Sequence, residues 1–413
     1  MTCNCNRREF LKDSFRIMAA GLAVPQFLAH TAYGAQALDA SAPANDNVLV
    51  VIQFSGGNDG LNTVIPFGEA AYYSNRSALG IASQNVLSLD GHIGLHPGLA
   101  KFKELLDKGV AAVVNGVGYP NPSRSHFRSM DIWHTAQPEI YGVNGWLGRY
   151  GDTNLVPSRS AAPAVNIGAD VPLALRSNRL SVASIDSIPN FRLQTDPRFA
   201  SSRQLVLNRY QLLHKDATED PTQQFIQTVS VDALMASEDL QRLAASYQPS
   251  VTYPNTGLGN ALRSVAQILS APLGTRIFYL QIGGFDTHAA QLNVHSNLLT
   301  TFSNAVSAFY DDMVAKNLAD RILIMTFSEF GRRVAQNGSN GTDHGTAGPM
   351  FVVGSKVRGG LFGRYPSLTD LDQGDLKFSS DFRQVYATVL TRWLGVDANP
   401  ILGGDFAPLD FLA

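Results

Sequence analysis

The segment from Ile322 to Gly354 reads ILIMTFSEFGRRVAQNGSNGTDHGTAGPMFVVG, and the rest of the chain is interpreted from it. Ile322–Phe327 and Met350–Val353 are apolar runs rich in β-branched residues, which is typical of strands buried on both faces. Two polar clusters lie between them: Ser328-Glu329 with Arg332-Arg333, and Thr342-Asp343-His344-Gly345. Ligands of open α/β sheets bind where strands end and loops begin. The segment therefore predicts an α/β sheet with part of a site at its edge.

Other apolar runs end in polar loops in the same way. Val48–Phe54 is predicted as a first buried strand, followed by a glycine-rich loop that contains Asp59. Arg276–Ile282 is predicted as another strand, and Asp286 and His288 follow it, facing the same side of an extended segment. A helix predicted over Leu298–Lys316 would connect that strand to Ile322 as a parallel crossover. Asp286, His288 and Glu329 are therefore expected at one edge of the sheet.

A further loop follows the predicted strand Val110–Val114 and contains Ser123, Arg124 and Ser125. Either serine would cap a helix that continues through Trp133. A hydroxyl at a helix N-terminus near arginines suits anion binding or nucleophilic attack, although most such serines are ordinary caps. His126 is a candidate proton shuttle, with a structural role as the alternative.

The N-terminus has the pattern of an export signal. Paired arginines at Arg7-Arg8 precede Phe-Leu-Lys, a modest apolar segment covers Ile17–Ala29, and Ala35-Gln36-Ala37 has the form of a cleavage site. This resembles a twin-arginine signal over residues 1–37, followed by a linker over 38–47. The predicted partner is the twin-arginine export machinery, and the location is the periplasm or the exterior. Both cysteines, Cys3 and Cys5, lie in the signal, and the apolar segment is too short for a stable membrane anchor after cleavage.

Composition narrows the class of protein further. The chain has 413 residues and is 45% hydrophobic, which is enough for one large domain over 48–413 with a helical or irregular insertion at about 150–260. Helices are predicted in that insertion over Phe199–Leu213 and Gln223–Tyr247. The net charge is −2 and the sequence has no basic run, so binding of nucleic acid is not expected.

Six motifs together resemble a known family across nearly the whole mature chain: FSGGNDGLNTVIP, GVGYPNPSRSHFRSMDIW, GGFDTH, TFSEFGRR, TDHGTAGPMFVVG and DFRQVYATVLTRWLG. They resemble the exported bacterial family catalogued as domain of unknown function 1501, which is itself distantly similar to the alkaline phosphatase and sulfatase superfamily. The resemblance implies a three-layer α/β sandwich with a mostly parallel central sheet. It also implies one or two metal ions at the strand ends, holding a phosphate or sulfate ester while a hydroxyl attacks.

The resemblance assigns roles to individual residues. The implied ligands of a divalent metal (zinc, manganese, iron or calcium) are Asp59, Asp286, His288, Glu329, Asp343 and His344. The superfamily has Thr-x-Asp-His-Gly where this chain has Thr326-Phe327-Ser328-Glu329-Phe330; both ligands are changed, which puts a second metal in doubt. Pro120 stands at the sulfatase nucleophile position and excludes formylglycine, so Ser123, Ser125 or a water would attack. Arg124 or Arg332 would bind the anion.

The first functional hypothesis is thus a metal-dependent hydrolase of small anionic esters. The alternative is a non-catalytic envelope binding protein on the same fold, metal-free or with a structural metal. A glycosidase that uses Glu329 and an aspartate is a third possibility, because paired carboxylates suffice for that reaction.

Overall fold

The computed structural model describes residues 45–413, apart from 157–161, 181, 187, 189–240, 243–244 and 272. The predicted signal peptide, the helix predicted over Phe199–Leu213 and most of the helix predicted over Gln223–Tyr247 lie outside the described residues. No helix within the described part has the length and apolar character needed to cross a membrane.

Strands and helices alternate through the described residues. The strands are β1 (Val48–Phe54), β2 (Val64–Ile65), β3 (Leu87–Ser88), β4 (Gly94–Leu95), β5 (Ala111–Gly118), β6 (Ala164–Ile167), β7 (Val182–Ile185), β8 (Ile277–Ile282), β9 (Ile322–Ser328), β10 (Gly348–Val353), β11 (Gly360–Phe362), β12 (Leu371–Asp372), β13 (Asp375–Leu376) and β14 (Ser380–Asp381). The helices are α1 (Ala70–Asn75), α2 (Ala100–Asp107), α3 (His126–Thr135), α4 (Trp146–Asn154), α5 (Gly257–Leu269), α6 (Gln291–Ala315), α7 (Phe382–Thr388), which continues as a π-helical turn over Val389–Trp393, and α8 (Asn399–Leu402). Short 3-10 turns cover Gly60–Asn62, Ser83–Asn85, Pro97–Leu99, Leu173–Leu175 and Ala319–Arg321.

Nine of the described strands form one central sheet in the order β11-β5-β10-β9-β1-β8-β6-β7, with β14 also paired to β5. All pairings are parallel except those of β10, which runs antiparallel to both β5 and β9. This confirms the predicted mostly parallel sheet. Because β5 and β9 both oppose β10, they run in the same direction as each other and as β1 and β8. The carboxyl ends of these four strands therefore share one edge.

The sheet is the middle of three layers. In β1, Val48, Val50, Ile52 and Phe54 pack into one core and Leu49 and Val51 into the other, as expected for a strand covered on both faces. Helices α2, α5 and α6 cover the first face. Helices α3, α4 and α7 cover the second. The predicted three-layer sandwich is confirmed.

Two segments differ from the sequence prediction. Helix α6 begins at Gln291 instead of Leu298, because its first turn is held by the backbone of a distant loop: Ala290 N donates to Ser339 O (3.1 Å) and Gln291 N to Asn340 O (2.9 Å). Within the predicted insertion, β6 pairs in parallel with β8 and with β7, so both strands belong to the central sheet.

Candidate metal centre

Four loops at the shared edge of the sheet bring the predicted site residues together. They follow β1 (residues 55–62), β5 (119–125), β8 (283–290) and β9 (329–347). An antiparallel bridge between Arg332 and His344 folds the last loop back on itself. The edge is where ligands bind in α/β sheets of this kind.

Three imidazole rings surround the carboxylate of Asp286. The Nε2 atoms of His126, His288 and His344 lie 3.5, 3.0 and 3.2 Å from Asp286 Oδ1, and those of His288 and His344 lie 2.9 Å apart. The ligand atoms of His126, Asp286 and His344 are all within 4.8 Å of one another. We call these four residues the histidine cluster. All four side chains are partly exposed, so a solute can reach them.

The other ring nitrogen of each histidine faces an oxygen. Nδ1 of His126 lies 2.9 Å from Glu329 Oε1, Nδ1 of His288 lies 3.2 Å from Asp343 Oδ1, and Nδ1 of His344 lies 2.8 Å from the carbonyl oxygen of Arg124. Carboxylates and carbonyls only accept hydrogen bonds, so a neutral ring that donates from Nδ1 to its oxygen presents a lone pair at Nε2. In this tautomer the cluster is a group of acceptors that face one another.

This donor set fits a divalent cation. Mutually repelling acceptors become favourable neighbours when a cation lies among them, and metal-bound histidines usually donate their second N–H to a carboxylate or a carbonyl. Zinc bonds of 2.0–2.1 Å in a tetrahedron would separate ligand atoms by about 3.3 Å, close to the 2.9–3.5 Å of the four separations given above. The three ligand atoms that all lie within 4.8 Å of one another are those of His126, Asp286 and His344. Three imidazoles and one carboxylate suit zinc, manganese or iron; calcium prefers oxygen ligands throughout.

The protonation states also suit metal binding. Burial by itself raises the pKa of Asp286, but hydrogen bonds from Arg332 and His344 and the charge of Arg332 outweigh it and lower this pKa to about 2. Burial lowers the pKa of His344, against the hydrogen bonds to Arg124 and Asp286 that raise it. At neutral pH Asp286 is therefore an anion and His344 a neutral imidazole, which are the forms that ligate metals.

Glu329 supports the cluster from behind instead of joining it. Its side chain is buried, and Oε1 accepts a hydrogen bond from Gly56 N (2.8 Å) as well as facing His126. Ser328 Oγ lies 3.3 Å from Oε2. The structure places the predicted ligand behind His126, because the carboxylate is enclosed and contacts the cluster only through that ring. The same enclosure keeps Glu329, the acid named for a glycosidase, away from solvent.

Asp59 is likewise placed outside the cluster. Both its oxygens pair with Arg76, at 2.5 Å to Nη1 and 3.0 Å to Nη2, and Gln291 Nε2 also donates to Oδ2 at 2.5 Å. The side chains of Asp59 and Arg76 are fully buried. The structure thus places the predicted metal ligand in a buried ion pair, where Arg76, from the C-terminal end of α1, neutralises the carboxylate.

Arg332 has a structural role in place of the predicted anion binding. Its buried guanidinium donates to the carbonyls of Gly56, Gly57, Phe285 and Thr342, and to Asp286 Oδ1 at 2.7 Å. These contacts join the loops after β1, β8 and β9. A guanidinium that is fully buried and bound to five oxygens of the protein is not accessible to a substrate.

The remaining predicted residues lie around the cluster. Asp343 is an exposed acceptor for His288 Nδ1 and for Asn337 Nδ2 (3.1 Å), so it orients a ligand. Ser125 is the N-cap residue of α3, without a side-chain capping bond, and Ser123 Oγ accepts from Ser125 N at 3.2 Å. Arg124 contributes its carbonyl to His344 and pairs its guanidinium with Asp375.

His126 has a more direct place in the site than the predicted proton shuttle. It is the first residue of α3, and its Nε2 atom completes the cluster. The sequence signal for this role is that His126 follows β5, which ends at the same edge of the sheet as β1, β8 and β9. Arg76, Gln291 and Asp375 were missed, and no motif in the sequence marks them.

The fold and the site define an α/β sandwich protein with a histidine-rich candidate metal centre at the carboxyl edge of its sheet. Residues 46–403 match the family described as Protein of unknown function (DUF1501), and the chain belongs to this family. A search of curated proteins finds no match.

Solved structures with a similar fold include the following three proteins. A protein in the alkaline phosphatase superfamily from Vibrio parahaemolyticus has 10% identity and a TM-score of 0.38, over 91% of this chain and 76% of the other. The PsFucS1 sulfatase from Pseudoalteromonas sp. has 11% identity and a TM-score of 0.37, over 94% and 75%. Phosphonate monoester hydrolase SpPMH from Silicibacter pomeroyi has 11% identity and a TM-score of 0.33, over 88% and 76%.

Proposed function

We propose that this protein is an exported, metal-dependent hydrolase of phosphate or sulfate esters. His126, Asp286, His288 and His344 would hold one divalent ion, with zinc as the best fit to the donor set. The observation that carries the proposal is the convergence of three imidazole Nε2 atoms on Asp286 Oδ1.

The residues of this chain would bind and orient the reactants. When bound, a divalent ion polarises an ester oxygen and lowers the pKa of a coordinated water. Glu329, Asp343 and the Arg124 carbonyl fix the three imidazoles in the tautomer that ligates. The part-exposed cluster leaves room for a small anionic ester to approach from solvent.

Water is a better candidate nucleophile than Ser123 or Ser125. Within the described part of the chain, neither serine hydroxyl is hydrogen-bonded to a histidine or a carboxylate. A serine nucleophile needs such a base within hydrogen-bond reach. His126 is the nearest imidazole in sequence, but its Nδ1 faces Glu329 and its Nε2 faces the cluster.

Export by the twin-arginine machinery forms part of the proposal. It is supported by Arg7-Arg8 and the following apolar segment, together with the absence of cysteine from residues 6–413. The twin-arginine route carries folded proteins, so a metal could be bound before export. The periplasm or the exterior is then the place where the ester substrate would be met.

A non-catalytic binding protein with a structural metal is the second candidate. The observation in its favour is the buried Asp59–Arg76 pair, which occupies the place where the resemblance implied a further metal ligand. A single ion would then fix the four loops without turnover.

Metal content and hydrolysis measured on the same preparation test both candidates. Protein exported in its native host should contain about one zinc, manganese or iron per chain, and His344→Ala and Asp286→Ala should lose it. His92→Ala, an exposed histidine far from the cluster in sequence, is the control. Turnover of aryl phosphates or aryl sulfates that survives Ser123→Ala and Ser125→Ala supports the hydrolase with water as nucleophile. Metal without turnover supports the binding protein, and the absence of metal contradicts both forms of the site.

A further inference from the structure

Two arginines beside the histidine cluster share one buried carboxylate. Asp375 begins β13 of the β12–β13 hairpin, whose turn residues Gln373 and Gly374 have φ of +53° and +88°. Asp375 Oδ2 accepts a hydrogen bond from Arg124 Nη2, and Oδ1 lies 3.7 Å from Arg333 Nε. The Asp375 side chain is only 1% exposed. The hairpin thus places the buried Asp375 carboxylate between the guanidinium groups of Arg124 and Arg333.

The backbones of both arginines are attached to the cluster segment. The carbonyl of Arg124 accepts from His344 Nδ1 at 2.8 Å, and Arg333 N donates to the carbonyl of Asp343 at 3.0 Å. The Arg333 side chain packs over the turn, since a Cβ on Gly374 would lie 3.3 Å from Arg333 Nη1. The backbones of Arg124 and Arg333 therefore contact the Asp343-His344 segment, and their guanidinium groups both approach Asp375.

These arginines differ from the two buried ones in the site. Arg76 and Arg332 are fully buried, and carbonyls and carboxylates take up their donors. Arg124 and Arg333 are 38% and 37% exposed. In the part of the chain that the structure describes, their guanidinium groups bind no acceptor except Asp375. Each guanidinium has five N–H donors, so Asp375 uses only a minority of them.

We propose that Arg124 and Arg333, positioned by Asp375, bind the anionic phosphate or sulfate group of the substrate beside the histidine cluster. The inference rests on the proposed function and names the part of the site that recognises its substrate. One carboxylate between two guanidinium groups leaves a net positive charge, and planar guanidinium groups match tetrahedral oxyanions through paired hydrogen bonds. Holding both side chains in place beforehand lowers the entropy lost on binding. Arg124 and Arg333 would contact the substrate, and Asp375 is a positioning residue.

Calorimetric titration of the metal-loaded protein with inorganic phosphate, and separately with inorganic sulfate, tests this inference. Arg124→Ala and Arg333→Ala should each weaken binding of the preferred anion about tenfold or more, as expected for the loss of charge-assisted hydrogen bonds. Metal content should stay unchanged. Arg392→Ala is the matched control, because Arg392 is also a half-exposed arginine that pairs with an aspartate, Asp410. It follows α7 and lies next to Trp393, whose Nε1 donates to the Val48 carbonyl at the opposite edge of the sheet.

Asp375 needs a readout that a purely structural role would not change. Asp375→Asn should raise KM for an aryl ester several-fold with little change in kcat, and Asp375→Glu should restore part of the loss. Both variants should melt within a few degrees of the parent protein, since each keeps a polar group at the site. A fall in kcat with KM unchanged would contradict the positioning role.

The outcomes separate this inference from the proposed function. If the parent protein holds metal and hydrolyses esters but the arginine variants bind anions normally, the inference is overturned and the function stands. If the parent binds phosphate or sulfate through these arginines without metal or turnover, the function fails and the anion site stands. If neither anion binds the metal-loaded parent protein, the inference is overturned.

Discussion

Glu329 shows how one side chain controls the site without touching a metal. Its carboxylate accepts from Gly56 N and faces His126 Nδ1. Glu329→Gln keeps the size and an acceptor oxygen but removes the charge that favours this tautomer. We expect zinc affinity to fall about 10–100-fold, as is usual for partners of ligating histidines. Competition against a chromogenic zinc chelator measures the change.

The control for this variant is Glu104→Gln, which alters an exposed glutamate that pairs with Lys101 on α2. It should leave zinc affinity unchanged. Equal affinities of the Glu329→Gln and Glu104→Gln proteins would mean that Glu329 does not orient His126.

Asp59 is expected to contribute to stability and not to metal binding. Burial raises its pKa, but the charge and hydrogen bonds of Arg76 outweigh this and hold the pKa below its usual value. Asp59→Asn leaves Arg76 buried without a counter-ion, and breaking such a pair costs about 3–5 kcal/mol. Chemical denaturation should show that loss in the free energy of unfolding, with unchanged metal content. Asp410→Asn, in an exposed pair with Arg392, should cost about 1 kcal/mol or less.

Metal loss without a loss of stability in Asp59→Asn would instead restore Asp59 as a ligand. The sequence could not decide this, because the relevant partner is Arg76. The Asp59–Arg76 pair spans 17 positions without a motif. Asp286, His288 and His344 were predictable as neighbours, since they follow strand ends at one edge. Whether a carboxylate ligates a metal or forms a buried ion pair depends on which cationic group the fold places beside it. That placement is a property of the folded chain.

At the level of elements, the close approach of the β1 and β8 loops positions Asp286. Gly56 has a φ of +120°, and a Cβ there would lie 2.3 Å from the backbone nitrogen of Asp286. Gly56→Ala must therefore separate the two loops as well as strain the backbone. We expect a loss of more than about 2 kcal/mol in unfolding free energy and a clear drop in zinc affinity.

Gly91→Ala separates the two effects in that experiment. Gly91 also has a positive φ, +87°, but nothing lies within 4 Å of its Cβ position. It should lose about 1–2 kcal/mol from backbone strain alone and keep its zinc affinity. The same zinc affinity in Gly56→Ala as in Gly91→Ala would show that the loop contact does not position Asp286.

Element types were more predictable than element boundaries. Continuous apolar runs identified β1, β8 and β9 within a residue or two, because strands covered on both faces are apolar along most of their length. The first two turns of α6 were not predicted, because backbone carbonyls of Ser339 and Asn340 hold its N-terminus. The direction of β10 was also not available, since a buried apolar run has no polarity pattern that distinguishes parallel from antiparallel pairing.

At the scale of the whole molecule, three buried histidines outside the cluster in the described part of the chain make its stability depend on pH. Burial lowers the pKa of His96 to about 4, against an opposing effect of Asp59. Burial lowers the pKa of His134 to about 3 and that of His295 to about 4. An unfolded histidine titrates near pH 6.5, so between pH 6.5 and about 4 the unfolded chain binds protons that the folded protein does not.

The sign of the effect follows from this difference. The stability is fully present above about pH 6.5 and is lost as the pH falls toward 4, by up to about 1.4 kcal/mol per pH unit for each histidine. Urea denaturation at pH 7, 6 and 5 with a metal chelator should therefore show a steep fall in unfolding free energy. His134→Gln should reduce the slope by about one third, because His134 is one of three comparable groups and its Nε2 contacts Gln53 and Tyr279 in the core. A free energy of unfolding that stays constant from pH 7 to pH 5 would mean that these histidines are charged in the folded protein. The buried imidazoles would then need counter-ions that their described contacts do not provide.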